Sequence, residues 1–151
     1  MFTRFLQTDR QKATLLIRLM VGVVFLSEGI QKFLFPAVRG AGRFESIGLP
    51  APELLAGVAG GFEIICGVLI ILGFLTRFAG IPLVIIMLVA LFTTKLEILH
   101  TEGFWSMMHA ARTDWAMLLG SLYLLIRGGG YGSLDYLVFG KYMKKDFPVH
   151  P

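Results

Sequence analysis

The chain has one cysteine, little charge, and no cofactor-binding or nucleic-acid motif. Cys66 alone excludes an intramolecular disulfide and a CxxC redox pair. The missing catalytic motifs argue against an autonomous hydrolase or thiol-disulfide enzyme. There is no Arg-rich aromatic platform, so the net charge of +4 and pI of 9.5 point to membrane topology and lipid contact, with no nucleic-acid partner. The N-terminus MFTRFLQTDRQKA has no short apolar core before a small-residue cleavage site. The first membrane helix is therefore expected to direct insertion itself. No internal repeat or low-complexity tract stands out.

What the chain has in quantity is apolar surface. Of its 151 residues 56% are hydrophobic, mean hydropathy is +0.74, and only 16% are charged, against ~25% in a soluble domain. This predicts an all-α integral membrane four-helix bundle, one membrane domain over residues 1–151. The helices are expected at about 14–35, 53–75, 80–99 and 108–126. An amphipathic segment, 1–13, precedes them and a basic tail, 136–151, follows. Pro36 bounds the first helix. The Pro/Gly-rich 36–52 connection carries Phe44, Ile47 and Leu49, too apolar for a solvated loop. It is read as an interfacial loop, with a lid over the bundle mouth as the lesser alternative. TRFAG at 76–80 reads as a short turn making helices two and three antiparallel neighbours. Gly57 and Gly61 make a small-xxx-small pair for close packing, either within the chain or in a homo-oligomer. Trp105 and Trp115 suit an aromatic belt. Four spans put both termini on one side. The richer set of Lys and Arg there, including Arg4, Arg10, Lys141 and Lys144, makes that side cytoplasmic.

The candidate site lies in the charges that the spans retain. An ionisable group near the centre of a membrane helix costs roughly 2.5–3.5 kcal/mol on insertion scales, so such groups should face protein or water. Arg18, Glu28 and Lys32 fall within an arc of about 80° on the first helix. Glu28 and Lys32 are in the favourable order for an i,i+4 pair. Glu63 lies mid-depth on the second helix, on a face with Gly60 and Gly67, and Asp114 lies on the fourth. The expected arrangement is one inward polar network of Arg18, Glu28, Lys32, Glu63 and Asp114. His109, Arg112, Lys95 and Glu97 gather near its outer end as a ligand or proton-relay set. Two readings stay open: ion pairs that lock helix register, or a site that binds or moves something. No metal site is expected. His100 and His109 could ligate haem, but nothing fixes their geometry. Cys66 reads as a packing residue.

Three segments resemble the DoxX family of small four-helix bacterial membrane proteins: LLIRLMVGVVFLSEGIQKF at 15–33, GGFEIICGVLIILGFLTRFAG at 60–80, and GGGYGSLD at 128–135. GFLTR at 73–77, with Glu63 upstream, is the most specific element. The family often has His-Gly where this chain has Glu28-Gly29, and a Glu where Asp114 stands. The resemblance implies the bacterial cytoplasmic (inner) membrane and a redox-linked role. The chain would be the membrane subunit of a quinone-associated oxidoreductase, with no intrinsic cofactor, a quinone as ligand and a soluble oxidoreductase as partner. A small carrier with a charged intramembrane site, or a scaffold recruiting soluble partners, is the alternative.

Overall fold

A computed structural model describes residues 12–138. The expected amphipathic segment 1–13 falls almost wholly outside the described residues, as does most of the basic tail 136–151. Among the described residues the regular structure is all helical. The elements are α1 (Thr14–Leu34), α2 (Ala41–Ser46), α3 (Pro52–Leu72), α4 (Thr76–Ala90), a π-helical turn (Leu91–Lys95), α5 (Leu96–Glu102), α6 (Phe104–Ala110) and α7 (Arg112–Arg127). Three helices are long and apolar enough to cross a bilayer: Thr14–Leu34, Pro52–Leu72 and the continuous Thr76–Glu102. α7 has 16 residues, a length of ~24 Å. It packs against α4 and α1, while α3 packs against both α1 and α4, so the four helices contact one another in a ring.

The element ends differ from the expected ones for local reasons. α3 stops at Leu72 because Gly73 adopts φ +68°, with its N–H bonded to the Ile70 carbonyl and that of Phe74 to the Leu69 carbonyl. This is the paired closure that a left-handed glycine permits. TRFAG is then not a linker but the first turn of α4. The fourth helix does not start at 108. Ala111, at φ −89° and ψ 0°, separates α6 from α7, and the aromatic stretch Phe104–Trp105 is itself helical. Trp105 is 82% exposed, as an interfacial anchor would be.

α1 and α3 approach until their backbones touch. A Cβ placed on Gly67 would lie 2.8 Å from the Leu26 nitrogen and 3.0 Å from the Gly22 carbonyl oxygen. One on Gly22 would lie 2.9 Å from the Gly67 carbonyl, and one on Gly29 2.8 Å from the Gly60 carbonyl. Gly22, Gly29, Gly60 and Gly67 are thus the seam, an arrangement favoured where lipid removes the hydrophobic drive for association. Gly57 and Gly61 are not part of it, since nothing lies within 4 Å of a Cβ at either. Below the seam, Val21, Phe25, Cys66, Ile70, Leu83 and Met117 form a buried apolar core. Large side chains such as Leu16, Ile65, Ile85, Phe92 and Leu119 point outward, more than half exposed, and form a lipid-compatible surface.

The two kinds of glycine should respond differently to substitution. Gly67→Leu drives a side chain into the α1 backbone and is expected to cost more than the ~1–3 kcal/mol of ordinary overpacking, abolishing a monodisperse peak in detergent. Gly61→Ala should leave the thermal midpoint unchanged or slightly raised, because Ala also favours helix.

Candidate functional site

A cavity of about 850 Å³ opens at the end of the helices remote from residues 12 and 138. Its walls are mainly apolar, with Val24, Phe25, Phe62, Ile86 and Met117 among them. The segment between α1 and α3 covers it, contributing Val38, Arg39, Arg43, Phe44, Ile47 and Leu49. Carried partly on α2, which packs on α3, this connection does form a roof over the bundle mouth.

The charged groups reach the cavity through specific backbone features. Gly29 lets α3 come so close that a Cβ there would lie 2.9 Å from the Glu63 Cβ. One turn on, Lys32 Nζ donates to Glu63 Oε2 at 2.6 Å, with side chains 13% and 3% exposed. A charge-assisted bond of this length in an apolar wall is strong, and each ion cancels a desolvation cost that neither could bear alone. On the opposite wall, Lys95 ends the π-helical turn and pairs with Asp114 in the first turn of α7 at 3.1 Å. Two threonines within the turn bond back along the helix: the Thr93 hydroxyl to the Val89 carbonyl and that of Thr94 to the Ala90 carbonyl. π-turns inside α-helices occur frequently at functional sites, and here Thr93, Thr94 and Lys95 of the turn all line the cavity.

The five residues expected to form one network are divided. Glu28, Lys32, Glu63 and Asp114 line this cavity together with Lys95. Glu28 and Lys32 do not pair with each other. Lys32 turns to α3, and Glu28 meets Arg39 of the roof at 3.8 Å, both about half exposed. His109, Arg112 and Glu97 are exposed and do not line the cavity, and the Arg112 guanidinium donates to the His109 carbonyl at 2.6 Å. His109 thus stands apart from the Lys32, Glu63, Lys95 and Asp114 side chains of the cavity. His100 and His109 are exposed and do not line this cavity, and among the described residues no three His, Cys, Asp or Glu side chains cluster to hold a metal. Cys66 is buried in the core.

Arg18 belongs to the other end of the molecule. Its Nη1 donates to the Gly129 carbonyl at 2.8 Å and its Nη2 to the Gly132 carbonyl at 3.3 Å. These bonds hold the GGGYGSLD loop against the α3–α4 corner. There the Asp135 carboxylate accepts the Leu75 N–H at 2.7 Å and the Thr76 N–H at 3.0 Å, and the Asp135 N–H returns to the Gly73 carbonyl. Leu75 precedes α4 at φ +48° and supplies no capping side chain. The acceptor that a helix start requires therefore comes from sixty residues away. Asp135, the cap of this corner, is not apparent from the local sequence. Its signal is a helix N-terminus at Thr76 without a Ser, Thr, Asp or Asn in the preceding position.

Two segments of the resemblance, GFLTR and GGGYGSLD, are thus halves of one clasp. A family model, DoxX, matches residues 13–96, from the start of α1 to the residue after the π-helical turn. The chain belongs to the DoxX family. It is 51% identical over 138 residues to "Uncharacterized membrane protein Rv3486" of Mycobacterium tuberculosis (strain ATCC 25618 / H37Rv), covering 87% of this chain and 85% of that protein. It is 34% identical over 127 residues to "Putative oxidoreductase CatD" of Bacillus subtilis (strain 168), covering 83% and 87% respectively. No solved structure matches.

Two sets of variants separate these roles. Glu63→Leu alone strands the Lys32 charge and should cost ~3–5 kcal/mol, whereas Lys32→Met with Glu63→Leu should recover most of that loss, read as thermal midpoints in detergent. Asp135→Ala should cost ~1–2 kcal/mol as a lost cap, read as a thermal midpoint in detergent, while leaving the Lys32–Glu63 pair at the cavity end intact.

Proposed function

We propose that this DoxX protein is the membrane subunit of a redox-linked oxidoreductase system and that its cavity holds a quinone-class ring. The observation that carries this reading is the buried Lys32–Glu63 pair in the wall of a mainly apolar cavity of about 850 Å³. The volume falls within the ~300–1,000 Å³ of small-molecule sites, in which a few placed polar groups orient an apolar ligand. The name of the Bacillus subtilis relative, an oxidoreductase, points the same way.

The residues present suit such a ring. Lys32 has N–H groups beyond the one given to Glu63, and one of these can donate to a ring carbonyl. Lys95 offers the same from the other wall, with Asp114 holding its ammonium in place. Phe25, Phe62 and Met117 exclude water from the ring faces, and Val58, Ile85 and Val89 offer an apolar path for a tail. A quinone supplies a two-electron, two-proton couple when bound. In this reading the electrons come from a soluble oxidoreductase partner. The chain lies in the bacterial inner membrane with its termini in the cytoplasm and the cavity toward the other side. A carrier would need a second opening. The core from Phe25 to Leu124 and the Arg18–Asp135 clasp fill the remaining depth, which favours a binding subunit.

The test is extraction into native-lipid nanodiscs followed by mass spectrometry of bound quinone. The wild type should retain it. The apolar Lys32→Met/Glu63→Leu variant should retain about tenfold less, as expected for a lost charge-assisted hydrogen bond. A wild type that carries no quinone, or a folded double variant that carries as much as the wild type, overturns the reading.

A further inference from the structure

The mouth of the cavity is charged differently from its walls. In the walls each lysine has its carboxylate, Lys32 with Glu63 and Lys95 with Asp114. At the mouth the roof carries Arg39 and Arg43, four residues apart. Arg39 has Glu28 at 3.8 Å, with both side chains about half exposed, a separation and exposure at which an ion pair contributes little. Arg43 is exposed and has no carboxylate partner among the described residues. The cavity is therefore lined by four cations (Lys32, Arg39, Arg43, Lys95) and three carboxylates (Glu28, Glu63, Asp114). It is one anion short, and the surplus sits at the mouth.

The surroundings of that surplus are apolar. Val38, Phe44, Ile47 and Leu49 flank the two arginines on the roof. Val58, Phe62, Ile85 and Val89 continue the apolar surface inward, and all of them line the same cavity. Val58, Phe62, Ile85 and Val89 are also 47–55% exposed, so the chamber is continuous with the surface that meets lipid. A guanidinium is the side chain best shaped for a phosphate or carboxylate, which it can grip through two parallel N–H bonds. Basic pockets between membrane helices are the sites where acidic headgroups lodge.

We propose that the roof arginines form a subsite for the acidic headgroup of a bilayer lipid, whose acyl chain lies along the apolar wall of the cavity. The anionic head replaces Glu28 as the partner of Arg39 and gives Arg43 the counter-ion it lacks. The lipid enters sideways from the leaflet, because the exposed wall residues already face it. This site shares its apolar wall with the path given to a quinone tail but does not depend on the quinone reading: it rests on the roof arginines, while the ring reading rests on the buried pair.

The protein is reconstituted in mixed phosphatidylcholine and phosphatidylglycerol, gently extracted, and its retained lipids are counted by native mass spectrometry. Wild type should retain phosphatidylglycerol in preference to phosphatidylcholine. Arg39→Gln/Arg43→Gln should lose that preference, roughly fivefold for each arginine removed. Arg39→Lys/Arg43→Lys should recover part of it, because charge remains. Arg112→Gln, which removes an exposed arginine outside the cavity, should leave the preference unchanged. Excess inorganic phosphate distinguishes the source of the anion. If phosphate displaces the lipid completely at ordinary ionic strength, the subsite binds free anions and the lipid assignment falls. It also falls if wild type retains the two lipids equally, or if the double glutamine variant, with an unshifted thermal midpoint, keeps the preference. Wild type that holds phosphatidylglycerol but no quinone supports this site and overturns only the ring reading.

Discussion

A charge in hydrocarbon must find its opposite, and in this protein that requirement fixes how close two helices come. Lys32 can reach Glu63 at 2.6 Å only because Gly29 and Gly60 let the α1 and α3 backbones meet. The glycines permit the approach, and the ion pair rewards one register over its neighbours. Sliding α3 by one residue would turn Glu63 by ~100° and leave two buried ions unpaired. The apolar core beneath the pair is then assembled on a seam already in register.

The two ends of the molecule solve different problems with the same currency of charge and backbone. At the cavity end, charges are held in side-chain pairs around open volume. At the other end, Arg18 and Asp135 are spent on backbone groups, binding carbonyls and N–H groups that a tight corner leaves without helical partners. Buried backbone groups of this kind need protein partners in place of water. The first arrangement leaves polar groups facing open volume that a ligand can address, whereas in the second the atoms left over, Arg18 Nε and Thr76 Oγ1, are buried. That contrast separates a binding site from a structural clasp more clearly than the presence of charge does.

Much of the fold was legible in residue patterns. The apolar runs marked α1, α3 and α4, and the intramembrane acids and bases marked where protein rather than lipid must lie. Partner choice was not legible. A helical wheel puts Glu28 beside Lys32, but the depth of the Gly29 notch decides that Lys32 turns to α3 instead. Arg18 shared an arc with both, yet three turns of helix carry it to the far end, a distance that an angular projection hides. Lys95 and Asp114 were both visible, but the π-helical turn that brings them together has no clear sequence signature. TRFAG read as a linker because its cap is sixty residues away, beyond any local window.

That distant cap has a consequence for synthesis. A helix that borrows its N-terminal acceptor from Asp135 cannot be finished when it first leaves the ribosome. α1, α3 and α4 are all made before residue 135 exists, so the α3–α4 corner must wait with its Leu75 and Thr76 N–H groups unanswered. Only when the loop after α7 arrives does one carboxylate close the corner, while Arg18 of the first helix closes over the same loop. The beginning and the end of the described chain are thereby checked against each other. A chain that stops short keeps its apolar helices but leaves its corner open, which distinguishes an unfinished product from a complete one.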